Sequence, residues 1–411
     1  MPWEALRREL RSPEGLRVAG VLSGTSADGI DVGLVRVQYG QRGWEAPLLE
    51  GFRTVPFAAD LGARLRALLE GAGAGPVVRE VALLHRDLGL AFGAAVRDTA
   101  RAASWTPSLV ASHGQTVWHH DGVEPTGPAS LQLGDPSRIA EVARCPVVAD
   151  FRASDLAAGG EGAPVSAYAD PVVFASLPRP LCVLNLGGIA NLTWLGAGAS
   201  DAPGVALAFD TGPAGALLDG LARLRLGQPL DRDGHAASGG AVQEPVVGRL
   251  LAHPFIGTAP PCSTGRDAFG PAWLGALDRD LEHVPTADLL ASAVEAVARH
   301  VQGGLQRLPA SPREVLVAGG GVHHPGLMDA LRRVAGVPVR SSSAVGIDPD
   351  ARESLVFAVL GALALAGEGV TRPEVTGAAP GRVLGTLTPG PRGSDGAGDL
   401  AAGGERPGSA P

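Results

Sequence analysis

The stretch Val18-Ala-Gly-Val-Leu-Ser-Gly-Thr-Ser-Ala-Asp-Gly-Ile-Asp31 joins two apolar runs through a turn of small and polar residues. The runs Val18–Leu22 and Ile30–Val37 predict two strands, and the residues between them predict a β-hairpin. In such a turn, backbone N–H groups and hydroxyl groups can converge on an anion. An ordinary tight turn has the same composition, so this turn alone leaves the two interpretations equally open.

A second turn of this kind, Leu184-Asn-Leu-Gly-Gly-Ile-Ala-Asn191, begins within the apolar run 181–186 in the other half of the chain. It contains both asparagines of the chain, Asn185 and Asn191. A codon bias explains why asparagine is rare, but it does not explain why the two that remain lie in one glycine-rich turn. Two hairpin turns, one in each half, predict that a triphosphate is gripped across a cleft.

The chain contains no lysine, since its 34 basic residues are all arginine. This excludes a Walker-type phosphate loop, the catalytic lysine of protein kinases and lysine Schiff-base chemistry. Backbone amides, arginine and Mg²⁺ would have to neutralise the phosphates instead. The residues that we expect to contact the nucleotide are Gly24, Thr25, Ser26, Ala27, Asp28, Gly29, Ile30 and Asp31 in the first turn and Asn185, Gly187, Gly188 and Asn191 in the second.

A third glycine run, Gly319-Gly320-Gly321, follows the predicted strand 314–318 and precedes a predicted helix. Glycines in this position let an adenine ring or a ribose approach the backbone closely. The run lacks the spacing of a dinucleotide-binding fingerprint. Close packing of the helix on the strand is the alternative explanation for these glycines.

Two further segments suggest chemistry. Asp210 ends the predicted strand 205–209 and precedes Thr-Gly-Pro, so its carboxylate could reach a cleft and act as a general base. A turn-capping aspartate is the alternative. The segment His113-Gly-Gln-Thr116 predicts a loop that presents Gln115 to sugar hydroxyls, with His113 as a structural residue.

The whole chain, at 411 residues, is long enough for two lobes, each with its own core. Strands that alternate with helices predict an α/β fold with a mostly parallel sheet, and an opening hairpin in each half predicts two related lobes. We expect a leader at 1–16, an N-terminal lobe at 17–155 and a C-terminal lobe at 156–370. A C-terminal segment at 371–390 then packs back on the fold, and a Gly/Ala/Ser/Pro-rich tail at 391–411 is disordered.

Composition also limits location and partners. The net charge of −8 disfavours nucleic acid and anionic membranes as partners. The three cysteines are scattered, and neither a signal peptide nor a membrane-spanning run is evident, so we expect a cytoplasmic protein with reduced thiols.

Read in order, the motifs closely resemble those of the anhydro-N-acetylmuramic acid kinase family, which belongs to the actin/hexokinase/Hsp70 superfamily. The matching pieces span residues 17 to 388 and include GVLSGTSADGID, ASHGQTVWH, VADFRASDLAAGGEGAP, LNLGGIANLT, FDTGPAG, STGRDAFG, VAGGGVHHPGLM and VGIDPDARESLVFAVL. The resemblance implies a two-lobed, ribonuclease H-like α/β fold with the active site in the cleft between the lobes.

The same resemblance implies an activity. Members of the family use Mg-ATP to phosphorylate the 6-hydroxyl of 1,6-anhydro-N-acetylmuramic acid while water opens the anhydro bridge, within peptidoglycan recycling. Asp210 matches the family's water-activating carboxylate, and 24–31 matches its ATP segment. The resemblance suggests a homodimer. Gln115, Arg152 and Glu353 are candidate sugar contacts because they are polar groups inside matching motifs, and the metal ligands stay unassigned.

This sequence departs from the family pattern at several positions, which are Ala153, Ser154, Glu161, Ala214, Gly215 and His323. These differences leave open a kinase of the same fold for another sugar or hydroxyl acceptor. A catalytically silent module that senses sugar or nucleotide is the third hypothesis.

Overall fold

The computed structural model describes residues 2–24, 27–71, 76–120, 127–196 and 207–391. The strands in these ranges are β1 (Leu16–Ser23), β2 (Gly29–Val37), β3 (Tyr39–Gly40), β4 (Gly43–Trp44), β5 (Leu48–Pro56), β6 (Leu109–His120), β7 (Ala129–Leu133), β8 (Val147–Ala149), β9 (Leu181–Leu186), β10 (Ile189–Leu195), β11 (Leu207–Pro213), β12 (Val315–Ala318), β13 (Val339–Ser341) and β14 (Thr386–Thr388).

The α-helices in the same ranges are α1 (Pro2–Leu10), α2 (Ala59–Leu69), α3 (Val77–Ala102), α4 (Pro136–Ala143), α5 (Ala153–Ala157), α6 (Asp170–Val173), α7 (Gly215–Leu226), α8 (His235–Ser238), α9 (Glu244–Leu251), α10 (Arg266–Phe269), α11 (Pro271–Asp280), α12 (Thr286–Leu305), α13 (Pro325–Val334), α14 (Arg352–Ala366) and α15 (Pro373–Thr376). Short 3₁₀ turns occur at Val165–Tyr168, Arg232–Gly234, Gly320–His323 and Ser342–Val345.

Two sheets repeat one topology. The first sheet has the order β14-β8-β6-β1-β2-β5, with β7 paired to β6, and the second has the order β11-β10-β9-β12-β13. In each sheet a meander of three antiparallel strands (β1-β2-β5 and β9-β10-β11) is followed by two strands parallel to its first member (β6 and β8, β12 and β13). This duplicated arrangement is the two-lobed actin/hexokinase/Hsp70-like fold, as the sequence predicts.

The expectation of mostly parallel sheets is wrong, because both sheets are mixed. Among the strands of the first sheet that the sequence does not predict is β5, an edge strand that pairs antiparallel with β2. Its side chains are partly or fully exposed along its whole length. A solvent-facing edge strand therefore lacks the continuous apolar run that marks its buried neighbours.

Helix α14 packs on the first sheet at very short range. A Cβ atom added to Gly20 of β1 would lie 1.8 Å from the carbonyl oxygen of Ser354, and one added to Gly33 of β2 would lie 2.4 Å from its hydroxyl. The helix is buried over almost its whole surface, in a core that contacts both sheets. The predicted boundaries place this helix in the C-terminal lobe; those boundaries stay a prediction.

Segments near both ends of the described chain contact the first sheet or the helix α14 that packs on it. The guanidinium of Arg7 in α1 donates to the carbonyl of Leu365 at 2.7 Å, and β14 pairs with β8. The tail at 392–411, for which disorder is expected, lies outside the described residues. Within the described ranges, no helix has both the length and the apolar character needed to cross a membrane.

Candidate active site

Asn185, Asn191 and Asp210 form one row across the second sheet. Asn191 of β10 is the cross-strand partner of Asn185 on β9 and of Asp210 on β11. Cross-strand partners project to the same face of a sheet, so the three polar side chains lie side by side. Asp210 therefore lies within its strand, not at the strand's end as the sequence suggests, because β11 continues through Thr-Gly-Pro to Pro213.

The Asp210 carboxylate is held from a segment distant in sequence. Its Oδ2 accepts a hydrogen bond from the backbone N–H of Thr264 at 2.8 Å, and its own N–H donates to the carbonyl of Cys262 at 3.0 Å. The side chain is only 7% exposed. Thr264 belongs to the motif STGRDAFG, but nothing in the sequence indicates that its backbone supports Asp210.

Arg152 lies within electrostatic reach of Asp210 and Glu353. Its Nε donates to Nε2 of His113 at 3.1 Å, and its Nη1 donates to the carbonyl of Gly162 at 2.9 Å. Burial lowers the pKa of Arg152 to about 10, and the negative charges of Asp210 and Glu353 oppose that shift. Asp210 and Glu353, two predicted site residues, thus interact electrostatically with the same guanidinium, which stays charged at neutral pH.

Glu353 is connected to the row of Asn185, Asn191 and Asp210 by a hydrogen bond from the Asn185 side-chain amide. The Nδ2 of Asn185 donates to Oε1 of Glu353 at 3.2 Å, while Asn185 itself is 5% exposed. Among the described groups, none donates to the buried Oδ1 of Asn185. The residue before Glu353, Arg352, forms a fully buried ion pair with Asp170 at 2.5 Å. This pair anchors the start of α14 and hence the position of Glu353.

The first turn, 24–31, presents mainly backbone atoms to the candidate site. The N–H of Ala27 donates to the carbonyl of Gly24 at 3.1 Å, and Ala27 adopts a φ of +55°. The side chains of Ala27 and Ile30 are buried in the core, so these two residues can contact a nucleotide only through backbone atoms. Thr25 and Ser26 lie outside the described residues.

Several carboxylates interact with Asp31, the last residue of this turn. Burial raises the pKa of Asp31 to about 6, although the hydroxyl of Thr54 donates to it at 2.6 Å and opposes the shift. The charges of Glu353, Asp28 and Asp350 raise the Asp31 pKa further. So much negative charge disfavours a bare triphosphate and favours a divalent cation beside it.

A second carboxylate, that of Asp219, lies within electrostatic reach of Asp28 in the same turn. Burial raises the pKa of Asp219 on α7 to about 6, against the charge of Arg223 and with the charge of Asp28 adding to it. Across the described residues, no three His, Cys, Asp or Glu side chains come close enough together to hold a metal ion by themselves. A divalent cation at this site would therefore need phosphate oxygens or water as further ligands.

The second turn supports the start of α7. The carbonyl of Gly187 accepts from the N–H of Gly215, and that of Gly188 accepts from the N–H groups of Ala214 and Ala216 at 2.9 and 3.0 Å. These contacts involve backbone only. The departures from the family pattern at Ala214 and Gly215 therefore leave the support of the helix intact.

The third glycine run has two parts. A Cβ at Gly319 would lie 2.8 Å from the carbonyl oxygen of Leu186, and one at Gly321 would lie 2.6 Å from the Leu186 Cβ, so these glycines serve close packing. At Gly320 a Cβ would meet no atom within 4 Å. Beside this run lies an open cavity of about 660 Å³, lined by Val322, His323, Ser341, Ser343, Gly346, Asp348, Pro349 and Asp350.

Gln115 has contacts that differ from those expected. The segment 113–116 lies in strand β6 and not in a loop. Gln115 has no exposed surface, and its Nε2 donates to the carbonyls of Gly24 at 3.2 Å and Thr116 at 3.1 Å. These bonds support the first turn, so they favour a positioning role over contact with a sugar.

Comparisons with known proteins agree with one another. The family model for anhydro-N-acetylmuramic acid kinase matches residues 16–390. A relative named anhydro-N-acetylmuramic acid kinase from Gloeobacter violaceus is 39% identical over 376 residues, covering 90% of this chain and 98% of its own. One of the same name from Xanthomonas oryzae pv. oryzae is 40% identical over 385 residues, covering 92% and 99%.

One solved structure with lower identity to this chain also covers most of it. Component A of (R)-2-hydroxyglutaryl-CoA dehydratase from Acidaminococcus fermentans covers 86% of this chain and 100% of its own, at 12% identity and a TM-score of 0.43. A likeness of that degree adds nothing to the assignment.

The class of protein follows from these findings. The chain is a sugar kinase, a phosphotransferase that uses an alcohol group as acceptor. It belongs to the anhydro-N-acetylmuramic acid kinase family, since both the family model and the relatives cover about nine-tenths of its length.

Proposed function

We propose that this protein phosphorylates O6 of 1,6-anhydro-N-acetylmuramic acid with Mg-ATP and opens the anhydro bridge with water. The products are N-acetylmuramic acid 6-phosphate and ADP, made in the cytoplasm during peptidoglycan recycling, by a homodimer. Family membership supports this substrate. The observation that carries the proposal is Asp210, a nearly buried carboxylate fixed by the Thr264 N–H and within electrostatic reach of Arg152.

Asp210 acts as the general base in this mechanism. It takes a proton from water as the water oxygen forms a bond to C1 of the sugar. The bond between C1 and the bridging oxygen breaks, and its electron pair stays on that oxygen, which is O6. O6 then forms a bond to the γ-phosphorus as the bond to the ADP oxygen breaks, so no general acid is needed for the leaving oxygen.

Arg152 and Glu353 are the proposed sugar contacts beside this base. Arg152 presents a planar fork of donors that is already fixed by His113 and Gly162. Glu353 is held by Asn185 and can accept hydrogen bonds from sugar hydroxyls.

The nucleotide contacts are proposed for the three glycine-containing turns. The phosphates would lie between 24–31 and the turn that contains Gly187 and Gly188, and the nucleoside beside Gly320 and the adjoining cavity. Mg²⁺, when bound, neutralises phosphate charge that the chain cannot neutralise with lysine. Asp28 and Asp31, whose charges interact with one another, would help to hold the ion.

Product analysis in ¹⁸O-water tests the proposal. The purified protein is incubated with Mg-ATP and 1,6-anhydro-N-acetylmuramic acid, and the mass of the sugar phosphate is measured by mass spectrometry. We expect one phosphate and one heavy oxygen in each product molecule. Phosphate without heavy oxygen would instead indicate an ordinary sugar kinase, and nucleotide binding without turnover would indicate a sensing module.

Asp210→Asn tests the assigned base. The amide keeps an oxygen for the Thr264 N–H but cannot take a proton, so we expect turnover to fall by about 10²–10⁴-fold. Asp135→Asn is a matched control, because Asp135 also accepts from a backbone N–H, that of Ser137 at 2.8 Å, as the N-cap of α4. Equal activity of the two variants would refute the assignment of Asp210.

A further inference from the structure

Asp155 is a buried carboxylate for which the proposed mechanism has no use. It has no exposed surface. Its Oδ2 accepts from the N–H of Gly162 at 2.9 Å, and its Oδ1 accepts from the hydroxyls of Thr376 at 2.7 Å and Tyr168 at 3.1 Å. An isolated buried charge is strongly disfavoured, so the three donors are what make this position tolerable.

The donor from Gly162 connects Asp155 to the active site. Gly162 lies between two charged partners: its N–H donates to Asp155, and its carbonyl accepts from Nη1 of Arg152 at 2.9 Å. Arg152 in turn lies within reach of the charges of Asp155 and Asp210. The position of the Arg152 guanidinium thus depends on the position of the Gly162 carbonyl, and Asp155 fixes Gly162 through its N–H.

The donor from Thr376 connects Asp155 to the C-terminal segment 371–390. The same segment pairs with the loop before Gly162 at two more points, where the N–H of Glu161 donates to the carbonyl of Thr376 at 2.9 Å and that of Ala379 donates to Ala158 at 2.9 Å. A Cβ added to Gly160 would lie within 2.8 Å of both Asp155 and Thr376, so the loop lies directly on this contact.

We propose that the C-terminal segment positions Arg152 through Thr376, Asp155 and Gly162. Asp155 and Thr376 are positioning residues: they touch no reacting atom, but they hold the loop whose carbonyl fixes the guanidinium. The chain therefore completes its active site with a segment more than 200 positions away in sequence from the residue that it supports. The proposal rests on the proposed function only in assuming that Arg152 contacts the sugar.

Thr376→Val tests this in the full-length protein. Valine has nearly the shape of threonine but lacks the hydroxyl that donates to Asp155. We expect kcat/KM for the sugar to fall about tenfold, since small misplacements of a positioning group have effects of that order, with KM for ATP unchanged. Amide hydrogen exchange should become faster in residues 158–163, and this readout needs no turnover. Thr376→Ser, which keeps the hydroxyl, should restore both properties.

Thr371→Val is the matched control. Thr371 is equally buried in the same segment, but its hydroxyl donates to Ala379 at 2.7 Å and accepts from the N–H of Arg382, both within the segment. We expect wild-type kcat/KM and wild-type exchange in 158–163 for this variant. The proposal is overturned if the two valine variants behave alike, or if exchange in 158–163 is unchanged by Thr376→Val. A wild type without anhydrosugar kinase activity would count against the proposed function, and the exchange comparison would still decide the connection itself.

Discussion

The Nε–H of Arg152 donates to Nε2 of His113 at 3.1 Å. Because a guanidinium can only donate, Nε2 of His113 must accept, and the proton of the neutral ring is on Nδ1. Burial lowers the pKa of His113 well below its ordinary value, and the charge of Arg152 lowers it further. The imidazole also stacks on Phe357, with ring centroids 4.5 Å apart. A neutral, immobile histidine thus orients the guanidinium from one side while Gly162 orients it from the other.

Arg152→Lys should therefore impair the reaction although the positive charge is kept. An ammonium group cannot bond His113 and Gly162 in the same fork geometry and still reach the sugar. We expect kcat/KM for the sugar to fall about tenfold to a hundredfold, the equivalent of about 1.5–3 kcal/mol for lost hydrogen bonds to a charged group. Steady-state kinetics with varied sugar at saturating Mg-ATP measures this.

Arg97→Lys provides the comparison, since Arg97 is partly exposed on α3 and, among the described residues, pairs with its neighbour Asp98 alone. It should retain wild-type kinetics. A loss confined to KM for ATP in Arg152→Lys would contradict the placement of Arg152 at the sugar.

Gly320→Ala tests the nucleoside site that we propose beside this residue. The added methyl group would meet no protein atom within 4 Å, so we expect the melting temperature to stay unchanged. If the nucleoside lies against this residue, the same methyl group should hinder it, and Kd for ADP should rise about tenfold, as steric overpacking of 1–3 kcal/mol implies. Isothermal titration calorimetry with ADP measures the change.

Gly321→Ala separates packing from binding. Its methyl group would lie 2.6 Å from the Cβ of Leu186, so we expect a lower melting temperature there. An ADP affinity for Gly320→Ala equal to that of the wild type would remove the nucleoside from this part of the cavity.

The strands could be predicted from the sequence where they are buried. The run 181–186 is apolar except for Asn185, and β9 has those bounds in the structure. The edge strand β5 was missed because solvent on its side removes the apolar pattern. The end of β11 was placed too early, because Thr-Gly-Pro reads as a turn, whereas Gly212 adopts a φ of +148° and the strand continues to Pro213.

The candidate site was predictable only in part. The sequence pointed to Asn185 and Asn191 as members of one turn and to Asp210 separately. Their alignment in one row depends on the register of β10 with both neighbours, including an irregularity between Ala190 and Asn191. Contacts between distant segments, such as Thr264 with Asp210, leave no local pattern in a single sequence. Roles for these residues stay predictions until the variants are measured.

His300 makes the stability of the protein depend on pH. It lies buried under β11, where Nε2 donates to the carbonyl of Pro213 at 3.0 Å and Nδ1 faces the Thr211 hydroxyl at 3.2 Å. Burial lowers its pKa to about 4, from about 6.5 in the unfolded chain. The unfolded state binds the extra proton first, so the stabilisation is present above pH 6.5 and is lost as pH falls towards 4. From pH 7 to pH 5 the loss is about 2 kcal/mol.

His300→Asn isolates this contribution from groups of opposite sign. Asp31 and Asp219 have pKa values raised to about 6, so they stabilise the folded state at low pH and lose that effect as pH rises from about 4 to 6. Both carboxyl groups are present in the wild type and the variant, and their effect cancels in the difference. Urea unfolding at pH 7 and pH 5 should show the variant's deficit in unfolding free energy shrinking by about 2 kcal/mol at the lower pH. A deficit of the same size at both pH values would mean that His300 does not titrate in this window.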